Sequence, residues 1–203
     1  MTLKRLLLGL LLVVCNFTIG HAQLTARQVL DKCAATVSSA QGVQADFLMT
    51  SAQYGDTNGT ISIKGKKFFA STTVAKIWFD GTTLWTYMTK NDEVNVTTPT
   101  AEQLQTLNPY NFINMYKSGF TMTMTKSSTA YTVHLTATDA SSKVKELFIT
   151  VDSQSYAPKE IKMLTGNRWS TFTVSNLKSK SLPETMFRFN PSDYPDAEVI
   201  DLR

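Results

Sequence analysis

In Trp78-Phe79-Asp80-Gly81-Thr82-Thr83-Leu84-Trp85-Thr86-Tyr87, two short runs of aromatic and aliphatic residues flank an Asp-Gly pair. Glycine reaches positive φ without steric penalty, and aspartate folds onto its own downstream amides, so the pair turns the chain. Lys76 to Phe79 and Leu84 to Thr89 therefore read as the arms of a β-hairpin. Successive strand side chains alternate between faces, so Trp85 and Tyr87 cannot share a side with Leu84 and Met88. Trp85 is expected to point inward.

Working outward, the same punctuation recurs. Tyr54 to Gly59 holds Gly55-Asp56 and Asn58-Gly59, which predict a second hairpin turn. Period-two alternation marks Val43, Ala45, Phe47 and Met49, then Ile61 and Ile63, then Phe120, Met122 and Met124. It continues through Tyr131, Val133, Leu135 and Ala137, through Leu147, Ile149 and Val151, through Ile161 and Met163, and into Arg168 to Val174. About ten short strands with regular turn signals predict a sandwich or barrel-like sheet.

Two segments break the alternation. Leu24 to Gly42 carries apolar residues at helical spacing (Val29, Leu30, Cys33, Val37), a capping box of Thr25 with Gln28, and Gly42 as a left-handed stop. Between Thr98 and Gly119, Thr100 with Gln103 forms another capping box, and Asn108-Pro109 opens a short helix that Gly119 closes. Phe112, Ile113, Met115 and Tyr116 crowd this last helix, which must therefore lie against something apolar.

At the amino terminus, Lys4 and Arg5 precede the apolar run Leu6 to Val14, which is too short for a bilayer span of roughly 20 residues. Gly20-His21-Ala22 supplies small residues at a cleavage site, so 1–22 reads as a cleavable signal peptide and 23–203 as a single domain beginning at Gln23. Cys15 invites comparison with a lipoprotein box, but the branched Val14 stands where such a box has a small residue. Cys33 is then the one cysteine left, a small buried hydrophobe on the helix. Loss of Lys4 and Arg5 takes the formal charge from +4 to +2, too weak for nucleic acid, and the basic residues are scattered along the chain.

The usual catalytic constellations are missing. His134 is the one histidine after residue 22, on the opposite side of its strand from Val133 and Leu135, where solvent is the expected neighbour. There is no Gly-x-Ser-x-Gly elbow, no phosphate-binding glycine loop and no histidine or cysteine set for zinc. Asp193, Asp196, Glu198 and Asp201 read as a surface-charged tail rather than a calcium loop. The expectation is a non-enzyme with no cofactor or metal.

Gly59-Thr60-Ile61-Ser62-Ile63-Lys64, Phe69, the Trp78 to Tyr87 stretch and Asn108-Pro109 together resemble the LolA family of periplasmic outer-membrane lipoprotein carriers. The first helix and Phe187-Arg188-Phe189-Asn190-Pro191 fit as well, and Glu93-Val94-Asn95-Val96 with Tyr194 to Asp201 is similar to the Bacteroidetes branch. The resemblance implies a mainly β fold: a strongly curved, incomplete antiparallel β-barrel of about ten to eleven strands, with short α-helices covering its apolar concave face. It implies a monomeric periplasmic chaperone that takes lipoprotein acyl chains from an inner-membrane lipoprotein-releasing transporter and delivers them to an outer-membrane acceptor or to the membrane itself. The expected acyl lining is Phe47, Met49, Ile61, Ile63, Phe69, Trp85, Ile113, Met115 and Tyr116, of which Phe69 and Ile113 match cavity positions of the family. Many members carry an arginine after the second-strand lysine that holds the lid shut; here Gly65 follows Lys64, with Lys66 and Lys67 next. Two alternatives stay open: a lipid or glycolipid sensor or carrier on the same scaffold, and a structural β domain without ligand.

Overall fold

The computed structural model describes residues 23–51, 55–100, 103–104 and 115–203. The signal segment and the Asn108-Pro109 helix start lie outside the described residues. No helix among the described residues is long and apolar enough to cross a membrane.

Helix α1, Ala26–Val37, begins with the expected box: Thr25 Oγ1 accepts from the Gln28 amide at 3.2 Å, and Gln28 Oε1 accepts from the Thr25 amide at 2.9 Å. It ends at Val37 rather than at Gly42. Gly42 (φ +110) instead starts the first strand, and a side chain there would strike Leu182 as well as strain the backbone. The strands follow as β1 Val43–Ser51, β2 Thr57–Lys64, β3 Lys67–Thr72, β4 Ala75–Phe79, β5 Leu84–Met88 and β6 Glu93–Thr97. Then come β7 Phe120–Lys126, β8 Ala130–Ala137, β9 Val144–Asp152, β10 Pro158–Thr165, β11 Arg168–Ser179 and β12 Glu198–Asp201.

All twelve form one sheet in the order β12-β6-β5-β4-β3-β2-β1-β11-β10-β9-β8-β7. Two antiparallel meanders, β1 to β6 and β7 to β11, join where β1 pairs with β11. This corrects the expected incomplete antiparallel barrel of ten to eleven strands. The sheet is open and not strongly curled, β12 and β7 stand at opposite edges, and β12 runs parallel to β6, which makes the sheet mixed. Closing a sheet requires its edge strands to meet with matched tilt and stagger. Here β3 to β5 carry large apolar residues on both faces, divided between two separate clusters, so no single hollow draws the sheet around itself.

The hairpin at Asp80 forms as read: Asp80 Oδ1 accepts from the amides of Thr82 and Thr83 at 3.0 and 2.9 Å, and Gly81 has φ +104. The β1–β2 turn differs. Gly55 (φ +75) belongs to it, but Asn58-Gly59 lies inside β2, where an added Cβ at Gly59 would run into the Ser71 carbonyl of β3. The glycine there marks a close backbone approach rather than a turn.

Register sorts the side chains into two faces. On one, Val43, Ile63, Phe68, Phe79 and Leu84 are consecutive partners across β1 to β5, and Met49, Phe172, Ile161, Ile149, Val133 and Met124 run across β1 and β11 to β7. Helix α1 lies against β7 and β8 on this face and contributes Val29, Leu30, Cys33 and Val37 to the main core. Burial raises the Cys33 thiol to about 12, so the thiolate is disfavoured, as the helical spacing suggested. Across β7 to β11 the other face carries threonines and charged residues together with Phe148, Leu164 and Trp169.

Candidate functional site

Of the expected lining, Ile61 and Ile63 are buried in the main core, and Phe47 and Met115 are half-buried against it. Tyr116 is buried there too, its hydroxyl donating to Asp31 Oδ1 at 2.5 Å, while the Arg27 guanidinium lies 5.7 Å from its ring. Burial and then the Asp31 hydrogen bond push the Tyr116 phenol well above its ordinary range. Met49 is half-buried on the same face by alternation from Phe47. Ile113 lies outside the described residues.

Phe69 and Trp85 are on the opposite face. With Trp78 and Val96 they form one cross-strand row, so that Leu84 faces the helix side and Trp85 the other. That side is covered by the chain after β11, a strap with short 3-10 turns at Glu184–Phe187 and Pro191–Asp193 that ends in β12. Trp78 meets Phe69, Phe189 and Tyr194 at ring-centroid distances of 5.4, 5.5 and 5.7 Å, and Tyr87 meets Tyr194 at 4.7 Å. Lys76 Nζ donates to the Tyr194 hydroxyl at 2.9 Å. Asp193, Asp196, Glu198 and Asp201 are exposed, as surface charge should be, but Glu198–Asp201 also forms β12; four residues with one apolar pair give too little alternation to announce a parallel edge strand.

The lysines beside Gly65 fasten this strap. Lys64 Nζ donates to the Leu182 carbonyl at 2.9 Å and pairs with Glu184 Oε1 at 3.0 Å, while Lys67 Nζ reaches Glu184 Oε2 at 2.5 Å. Lys67 and then Lys64 hold the Glu184 carboxyl below the usual carboxylate range. His134, on the threonine-rich face, stacks on Phe148 with centroids 4.1 Å apart and contacts Glu146 Oε2 at 2.9 Å through Nε2.

Two clefts on the described surface are shallow and mixed in lining. One of about 600 Å³ is lined by Asp46, Asn58, Thr60, Thr173 and Ser175 beside Phe47 and Leu48. Its carboxylate and hydroxyls suit polar groups rather than acyl chains. On the helix-side face Phe47, Met115, Phe120, Met122, Met124, Phe172 and Val174 are half-buried and packed against the core.

One open, mixed β-sheet with a helix packed on one face defines the scaffold. The chain belongs to the family described as outer membrane lipoprotein carrier protein LolA, whose match covers residues 17–167. It is accordingly a non-enzymatic protein of the LolA-like superfamily, in keeping with a periplasmic carrier role in general. Among solved structures, an uncharacterised conserved protein from Thermus thermophilus shares the fold at TM-score 0.60 and 11% identity, covering 88% of this chain and 99% of that one. A LolA superfamily protein from Nitrosomonas europaea matches at TM-score 0.44 and 13% identity over 82% of this chain and 99% of that one. A comparison with curated proteins finds no match. The family match reaches no branch within the family.

Proposed function

We propose that the protein is a periplasmic carrier that shelters lipoprotein acyl chains on the helix-side face of its sheet and moves lipoproteins from the inner to the outer membrane. Leaving water gains an acyl chain about 0.8 kcal/mol per methylene, so chains of a dozen or more carbons cannot cross an aqueous compartment bare. The observation that carries the reading is the band of half-buried apolar residues beside α1, to which Phe47, Met49, Met122 and Met124 contribute. Methionine thioethers are flexible and polarizable and adapt to irregular apolar partners, as a carrier of varied lipoproteins requires. Of the expected lining, Phe47, Met49, Ile61, Ile63, Met115 and Tyr116 gather on this side, and Ile113 is proposed with them. Family membership over residues 17–167 supports the same reading.

Met49→Asp tests it. A carboxylate on this half-buried face opposes an acyl chain without emptying the core. Binding of a fluorescent fatty-acyl probe, competed by a synthetic triacylated lipopeptide, is expected to weaken by about ten-fold or more, with the thermal midpoint within a few degrees of wild type. Undiminished binding in a folded Met49→Asp protein would place the acyl chains elsewhere. Competition by free lipids but not by the lipopeptide would favour a lipid or glycolipid carrier.

A further inference from the structure

Lys64, Lys66 and Lys67 lie far in sequence from Lys178 and Lys180, and singly each looks like ordinary solvated charge. The fold brings them to one end of the sheet. Gln44 of β1 is the register partner of both Ser62 in β2 and Lys178 in β11, Lys180 Nζ donates to Gln44 Oε1 at 3.1 Å, and Lys64 reaches the strap at Leu182. The β2–β3 turn carries Lys66 at its exposed tip. Against these five ammonium groups stand Glu184, which Lys64 and Lys67 share, and Asp46, which lines a cleft with Gln44 and Lys178 and accepts from Asn176. Lys66, Lys178 and Lys180 are exposed and make no ion pair among the described residues. The end of the sheet is therefore strongly positive on a molecule of small net charge.

We propose that this lysine end is a docking surface for an anionic phospholipid membrane, which orients the protein on the bilayer. Flexible ammonium groups projecting from a turn and a strand end suit a diffuse layer of lipid phosphates better than a shaped acidic pocket, and neither Lys178 nor Lys180 is paired with a carboxylate among the described residues. Juxtaposed basic residues gather attraction to an anionic leaflet that falls off within a Debye length of about 8 Å at physiological salt. The choice of a membrane over an acidic protein rests on the carrier reading, since a carrier works between two lipid surfaces. The helix-side face is not part of the patch, so docking and acyl binding fail separately.

The test is sedimentation of purified protein with vesicles of phosphatidylcholine alone and of phosphatidylcholine with phosphatidylglycerol. Binding is expected to the anionic vesicles only, and to be lost near 1 M salt, where the Debye length is about 3 Å. The triple variant Lys66→Glu, Lys178→Glu, Lys180→Glu is expected to bind about 100-fold more weakly while keeping its thermal midpoint and its fatty-acyl probe binding. The triple change to Gln, which keeps side-chain length, should lose most of the same binding. Equal binding to both vesicle types, wild-type binding by the triple variants, or absence of vesicle binding with retention on a polyglutamate matrix would each overturn the proposal, the last in favour of an acidic protein partner.

Discussion

Trp78→Ala is expected to destabilise the protein by about 3–5 kcal/mol and to release the C-terminal strap. Trp78 is 6% exposed and is the hub on which Phe69, Phe189 and Tyr194 converge from β3 and from the strap. Truncation removes the transfer energy of the indole, leaves a cavity between sheet and strap, and forfeits aromatic pair terms of about 0.5–1.5 kcal/mol each. Upstream of Phe189 the strap is also held by buried Leu182 and Phe187 and by the Lys64 and Lys67 pairs to Glu184, whereas beyond it the short β12–β6 pairing is the main remaining tie, so the last stretch yields first. Denaturant unfolding should show the loss of stability, and limited proteolysis should show early cleavage after residue 188. A change under about 1 kcal/mol with an unaltered cleavage pattern would mean that the strap is anchored elsewhere.

Phe68→Ala probes the other side of the same strand and should cost a similar amount, about 3–5 kcal/mol. Phe68 is fully buried, packs its ring 5.6 Å from that of Phe79, and sits in the row that joins Ile63 to Phe79 across β3. Its loss opens the main core rather than the strap cluster, so unfolding should remain a single transition and proteolysis should show no preference for the C-terminal segment. If Phe68→Ala and Trp78→Ala gave the same early strap cleavage, the two faces would not be the independent layers described here.

The contrast between these neighbours shows what could be read from the chain alone. Alternation and the Asp80-Gly81 turn announced the β4–β5 hairpin because the turn chemistry is local: one carboxylate and two amides settle it. The Thr25–Gln28 cap was legible for the same reason. The sequence could say that Leu84 and Trp85 face opposite sides but not that both sides are covered, because the cover comes from Phe189 and Tyr194, more than a hundred positions away. That distant cover also upset the barrel expectation, since aromatic residues assigned to one hollow are divided between two clusters. The end of α1 was placed too late because Gly42 has the positive φ of a helix stop yet serves the start of β1 and the seat of Leu182. Of the expected lining, period two put the positions of β1 and β2 on the core face, and the crowding of apolar residues before Gly119 put Met115 and Tyr116 against the same core. The lysine end left no local signal, for its members are joined only by the pairing of β1 with β2 and β11.

The central claim is that the protein carries acylated cargo, and mass spectrometry of material extracted from protein purified from the periplasm of its own cells tests it most directly. The account predicts triacylated amino-terminal lipopeptides at near-stoichiometric amount, reduced in Met49→Asp protein prepared the same way. Protein that is folded and free of any acylated species, or that holds only free lipids in both forms, would contradict it.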